Sequence, residues 1–144
     1  MSKIEKVLAT GKTHTTAVTP SSVHSNVNLK LSAAGGRDIS FDNIVAHPSA
    51  EQLFAGAWSS CYTLALTLAA AQNKVTLPAD TSVDIEVDLG QTGDAYFLGA
   101  RLIVNLPGLS QDAALTVAHA ADQICPYSKA VRGNIDVAIS VTTA

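Results

Sequence analysis

The chain has 144 residues, a net charge of −3 at pH 7, and 47% hydrophobic but only 5% aromatic residues. That length suits one domain, residues 1–144, which buries roughly two-thirds of the surface its unfolded form exposes, so no disulfide is needed to hold a core. Nine Lys and Arg residues scattered along an acidic chain exclude the basic stripe of a nucleic-acid-binding domain.

The opening Met1-Ser-Lys-Ile-Glu-Lys mixes charges, and no apolar stretch with a small-residue cleavage site follows. The expectation is a cytoplasmic protein whose thiols are kept reduced. Thr13, Thr15, Val18 and Thr19 favour extended structure, and Pro20-Ser-Ser breaks it. Val27, Leu29 and Leu31 alternate with Asn28, Lys30 and Ser32, as in a strand buried on one face. Ala33 to Asp38, with Gly35 and Gly36, reads as a turn, and Ile39 to Ala46 as loop with a short strand.

A long helix is predicted next. Ser49 is its N-cap, Gln52 completes a capping box, and the helix runs to about Asn73. Leu53, Ala57, Leu64 and Leu68 fall on one face, which is assigned to the core. Leu53 to Ala71 is 19 residues without a charge, long enough to span a bilayer. Gly56, Ser59, Ser60, Thr63 and Thr67 dilute it, and basic flanks and aromatic belts are missing, so a buried helix without membrane insertion is expected. A helix apolar on every side needs covering on every side, which in a small protein suggests a second subunit.

Val83, Ile85, Val87 and Leu89 alternate strictly with Asp84, Glu86 and Asp88, giving a strand with an acidic solvent face. Gly90 to Asp94 reads as a hairpin loop, and Ala95 to Leu106 as the returning strand. Ser110 caps a second helix, Pro126 opens a third and Gly133 ends it, with Cys125 at the N-cap between them. Ile135, Val137, Ile139 and Val141 alternate in a last strand. The order defines an α+β domain.

Two cysteines carry the most specific chemistry. Cys61 lies within the charge-free run, and Cys125 begins Cys125-Pro-Tyr-Ser-Lys-Ala-Val-Arg-Gly-Asn134. Thiols that a fold brings together switch between dithiol and disulfide. The ordinary alternative is a pair of inert core thiols, since cysteine is among the most buried residue types. A metal site is disfavoured: the cysteines form no close ligand pair, and His14, His24, His47 and His119 lack metal spacing. Gly11-Lys12-Thr13 is discarded as a phosphate loop because position 6 is Lys where the motif needs Gly.

The segments Glu51-Gln-Leu-Phe-Ala-Gly-Ala-Trp-Ser-Ser-Cys61 and Cys125-Pro-Tyr-Ser-Lys-Ala-Val-Arg-Gly-Asn-Ile-Asp-Val137 resemble the organic hydroperoxide resistance and osmotically inducible protein C family, the second segment its hydroperoxide resistance branch. The resemblance covers essentially the whole chain. It implies an OsmC-like fold, with antiparallel sheets around a long buried central helix in an intertwined homodimer. It implies a cofactor-free thiol peroxidase acting on organic hydroperoxides, with Cys61 as peroxidatic cysteine, Cys125 as resolving cysteine and Glu51 as an active-site carboxylate. The implied reductant is a dithiol on a lipoyl-bearing protein. The family's hydroperoxide resistance branch has an arginine near the position of Thr19, and this chain does not; Arg37 is the residue assigned to that task here.

The chemistry explains the set. Burial disfavours the thiolate, a guanidinium favours it, and a carboxylate orients the guanidinium. Glu51 and Cys61 are ten residues apart on one helix. That is about 15 Å along the axis, too far for partnership within one chain. Antiparallel packing of two such helices across a twofold axis would bring Glu51 of one subunit toward Cys61 of the other. Leu53, Phe54, Ala57, Trp58 and Tyr127 are expected to line an apolar substrate pocket. The alternative is a non-enzymatic protein of the same fold that binds a hydrophobic ligand or senses oxidants.

Overall fold

A computed structural model describes residues 3–17, 27–33, 37–40 and 49–144. Among these, six strands and three helices follow one another as β1 (Lys6–Ala17), β2 (Val27–Ala33), β3 (Arg37–Ser40), α1 (Ala50–Gln72), β4 (Ser82–Thr92), β5 (Ala95–Asn105), α2 (Gln111–Ile124), α3 (Pro126–Val131) and β6 (Asp136–Thr142). The strands form a single sheet in the order β3-β2-β1-β4-β5-β6. The α+β class is as the sequence predicted. The sheet is antiparallel through β5, but β6 joins parallel to β5. The reason lies in the connection: a parallel neighbour needs a long crossover, and α2 and α3 supply it.

The alternation in β4 sends Val83, Ile85 and Val87 into the core, where none is exposed. Its acidic residues face the other way and are ion-paired. Arg101 from β5 donates from Nε to Glu86 at 2.8 Å and from Nη1 to Asp88 at 2.6 Å, and Lys12 from β1 lies 3.1 Å from Glu86. The paired arginine holds the Asp88 carboxyl below the usual range. Partial burial pushes Glu86 up, but hydrogen bonds from Arg101 and Lys12 outweigh it and the net direction is down. The β4–β5 turn is only Gly93-Asp94, since Thr92 pairs with Ala95. Gly93 has φ of +56°, which the first position of a tight type II′ hairpin turn requires.

Helix α1 begins where its capping residues place it. The Ser49 side chain accepts from the Gln52 N–H at 3.1 Å, and the Gln52 side chain accepts from the Ser49 N–H at 2.9 Å. Its N-terminus presses on β1 at Gly11, where a Cβ would lie 2.4 Å from the Gln52 nitrogen and 2.6 Å from the Glu51 carbonyl carbon. Further along, Ser59 bonds Thr15 of β1, and the Tyr62 hydroxyl donates to the Ala118 carbonyl of α2 at 2.7 Å. By length and hydropathy α1 could cross a membrane; 56% of its apolar window is buried against the rest of this chain.

The core face of α1 differs from the one predicted. Ala55, Trp58, Tyr62, Leu66 and Ala69 are among its buried positions and belong to the hydrophobic core. Leu53 and Leu68 are 52% and 41% exposed, Ala57 is exposed and Leu64 is half-buried. Both stripes are apolar and both follow helical spacing, so periodicity could not choose between them. What decides is size and hydrogen bonding: the stripe with Trp58 and Tyr62 offers the larger aromatic surface and polar tips that find buried partners.

Candidate functional site

Cys61 sits in the middle of α1, and Cys125 at the elbow between α2 and α3, serving as C-cap of one and N-cap of the other. Pro126 suits the first position of α3 because that position needs no backbone donor. Gly133, at φ +80°, releases the chain after α3 into β6. This elbow places the Cys125 thiol 3.2 Å from Cys61, with Cys125 donating. The two cysteines are free thiols. Cys125 is fully buried, while Cys61 is half-buried and reachable from outside.

Burial is the main influence on Cys61 and, together with the neighbouring Cys125 sulfur, which competes with it for the negative charge, pushes its pKa up to about 11. The backbone N–H of Tyr127, in the first turn of α3, donates to Cys61 and pulls the other way. Among the residues whose side chains are described, which do not include Arg37, no Lys or Arg contributes to this balance. The described side chains thus supply no cation where thiolate chemistry calls for one.

The remaining expected site residues are distributed as follows. Glu51 lies in the first turn of the same continuous α1 as Cys61, so the two do not meet within one chain. Leu53 and Ala57 share the exposed stripe that continues to Cys61. Tyr127 is 47% exposed beside it. Phe54 packs edge-on to Trp58, with ring centroids 6.0 Å apart. Trp58 is wholly buried, and its indole N–H donates to the Ser128 hydroxyl of α3 at 3.0 Å. Trp58 and Ser128 line a separate cavity of about 250 Å³ with Val131, Ile135 and Val137; neither cysteine lines it. Arg37 opens β3, paired with Ala33. Thr19, His24 and His47 lie outside the described residues. Among the described residues no cluster of three or more His, Cys, Asp or Glu side chains could hold a metal.

Sequence reasoning did not pick out Ser128. Its signal was present: Ser128 follows Cys125 by three residues, and Trp58 precedes Cys61 by three. Matching one-turn offsets on two elements that meet at a thiol pair invite a second cross-link.

A reachable thiol on a core helix, backed by a buried thiol at a helix elbow, defines an α+β protein with a paired-cysteine site. Comparison with known proteins narrows this. The family profile described as OsmC-like protein matches residues 41–140, and the chain belongs to that family. It is 38% identical over 91 residues to the organic hydroperoxide resistance protein of Xanthomonas axonopodis pv. citri, covering 63% of this chain and 64% of that protein. It is 45% identical over 94 residues to organic hydroperoxide resistance protein-like 2 of Staphylococcus epidermidis, covering 64% of this chain and 66% of that one. The matched segment thus spans just under two-thirds of these relatives' own length. The crystal structure of the organic hydroperoxide resistance protein OhrB of Bacillus subtilis superimposes with a TM-score of 0.63 at 28% identity, covering 80% of this chain and 90% of that chain.

Proposed function

We propose that this protein is a cysteine-based peroxidase that reduces organic hydroperoxides and so confers resistance to them. The observation that carries the reading is the 3.2 Å approach of a reachable Cys61 thiol to a buried Cys125 thiol. The difference in burial assigns the roles. Only Cys61 is open to an incoming peroxide, and Cys125 is positioned to meet whatever forms on Cys61. The names of the relatives, which are organic hydroperoxide resistance proteins, point to the same substrate class.

The cycle balances in three steps. The Cys61 thiolate attacks the distal peroxide oxygen; the O–O bond breaks, an alcohol leaves with a proton, and Cys61 becomes a sulfenic acid. The Cys125 sulfur then attacks the Cys61 sulfur, the S–S bond forms and water leaves. An external dithiol, proposed as a lipoyl group on a protein, reduces the disulfide by exchange. No cofactor is used. Exposed Leu53 and Ala57 on the stripe of α1 that leads to Cys61, and exposed Tyr127 next to Cys125 in sequence, offer apolar surface that supports a preference for alkyl or lipid hydroperoxides.

The raised Cys61 pKa must be lowered for the first step, because the thiolate is the nucleophile. We assign that task to Arg37, oriented by Glu51, in a site completed by a second copy of the chain in the cytoplasm. The exposed stripe Leu53, Ala57, Leu68 on α1 supports the homodimer; a single-chain mass in sedimentation would contradict it.

The direct test is peroxide turnover with cumene hydroperoxide and a dithiol. Cys61→Ser abolishes turnover, and Cys125→Ser oxidises once and stops. Full activity in Cys61→Ser would refute the mechanism. That no described side chain places a cation beside Cys61 favours one second reading, a hydrophobic-ligand binder or oxidant sensor with weak peroxidase activity. Slow thiol loss with both cumene hydroperoxide and hydrogen peroxide would select it.

A further inference from the structure

Three contacts join α1 to the elbow and α3: the thiol pair, the Tyr127 N–H on Cys61, and one side-chain bond away from the sulfurs. Cys61 meets Cys125, and Trp58 donates to Ser128 at 3.0 Å. Moving three residues back along α1 from Cys61 matches moving three residues forward along α3 from Cys125. The links are therefore antiparallel rungs one helical turn apart, about 4.5 Å along the axis.

Helix α3 has few anchors to set its tilt. It is six residues long, and its N-cap residue, Cys125, makes no side-chain capping bond. Cys125 is also the pivot, because it ends α2. A short helix hinged at the cysteine is held by Val131 in the core, by its C-cap Arg132 on Asp122 of α2 at 2.7 Å, and by Ser128 on Trp58. Close packing does not lock the indole on every side, because Trp58 and Ser128 both border the cavity of about 250 Å³. The indole itself is braced by Phe54 at 87°. The bond is dry: Trp58 is 0% and Ser128 2% exposed. A buried bond of this kind costs more to break than a surface one, since neither partner finds water.

We propose that Trp58 and Ser128 are a positioning pair that decides the fate of oxidised Cys61, holding Cys125 close enough to resolve the sulfenic acid before a second peroxide reaches it. The proposal rests on the peroxidase reading and adds a control on its second step. Two reactions compete for the sulfenic acid. In one, Cys125 displaces water and the disulfide forms. In the other, a second hydroperoxide transfers an oxygen to sulfur, leaving an alcohol and a sulfinic acid that thiols do not reduce. The first depends on the effective concentration of Cys125 at Cys61, and a misplacement of about 1 Å is enough to cost such a step heavily. Neither Trp58 nor Ser128 touches the reacting atoms; they act through the position of α3.

The experiment is a single-turnover oxidation with tert-butyl hydroperoxide, following sulfenic acid by dimedone trapping and sulfinic acid at Cys61 by peptide mass. In wild type the disulfide closes and little sulfinic acid forms. Ser128→Ala leaves formation of the sulfenic acid within about twofold but slows closure about tenfold, the equivalent of ~1.4 kcal/mol. Its sulfinic fraction rises with excess peroxide. Ser128→Thr keeps the hydroxyl and closes near the wild-type rate. Trp58→Phe, which keeps an aromatic ring without the N–H, slows closure as much as Ser128→Ala, and the double variant slows it no further. Wild-type closure in a folded Ser128→Ala or Trp58→Phe protein overturns the positioning role. Failure of wild type to form the Cys61–Cys125 disulfide at all would instead sink the peroxidase reading beneath it. Hydrogen exchange of the unsubstituted protein probes the same bond: the Trp58 indole proton exchanges slowly in the dithiol form, and fast exchange contradicts the proposal.

Discussion

At the scale of single residues, the site is governed by a conflict over Cys61. Burial and the neighbouring Cys125 sulfur, which competes for the negative charge, push its pKa up to about 11, and the Tyr127 N–H opposes them. At pH 7 such a thiol is almost entirely protonated. The proposed enzyme therefore needs a cation that this chain's described side chains do not bring to Cys61, and Arg37 is assigned to it. Titration of the Cys61 thiolate by its ultraviolet absorbance in the Cys125→Ser protein should give a midpoint below the ordinary ~8.5. In Arg37→Gln on the same background the midpoint should climb above that ordinary value, because burial raises it. The sign follows from charge: a guanidinium stabilises the thiolate, so its loss raises the pKa. Peroxidase rate at neutral pH falls with it. A midpoint already above the ordinary value with Arg37 in place, and unchanged in Arg37→Gln, would contradict the assignment.

At the scale of elements, two packing features carry specific consequences. The first is the seat of α1 on β1. A methyl at Gly11 would collide with backbone atoms of Glu51 and Gln52, and the backbone cannot rotate away as a side chain can. Gly11→Ala should destabilise the protein by roughly 1–3 kcal/mol, the usual cost of overpacking, and should displace Glu51. Chemical denaturation checks it; an unchanged midpoint would show that α1 is not pressed on β1. The second is the ion-paired outer face of β4 and β5. Arg101 holds Asp88 and Glu86 below their ordinary pKa values. Folding thus favours their ionised form, so the stabilisation is complete above about pH 5 and is lost as pH falls through the lowered values. Asp88→Asn should remove roughly 1 kcal/mol at neutral pH, the upper range for a partly exposed pair, and flatten the decline of stability between about pH 5 and pH 2. An equally steep acid decline in the variant would contradict this.

At the scale of the whole molecule, local signals were legible and choices between equivalent surfaces were not. Ser49 and Gln52 announced the start of α1, and the observed helix begins at Ala50. The alternation through Val83, Ile85 and Val87 announced β4, and Pro126 with Cys125 announced the elbow that carries the buried thiol. The face of α1 was misread because Leu53, Leu64 and Leu68 compete with Trp58, Tyr62 and Leu66 at the same spacing. Only the tertiary partners, Ser128 for Trp58 and Ala118 for Tyr62, decide between them. The parallel seat of β6 depends on how α2 and α3 cross the sheet, which alternation within β6 does not encode. The pairing of Cys61 with Cys125 is non-local, across 64 residues, and spacing alone left inert thiols open.

What the fold achieves is to deliver a buried sulfur to a reachable one. The most direct test is peptide mass analysis after one equivalent of cumene hydroperoxide. The proposed mechanism predicts loss of two mass units and a single linkage between the peptides holding Cys61 and Cys125, within one chain. Recovery of both free thiols, or a linkage only between chains, would contradict it.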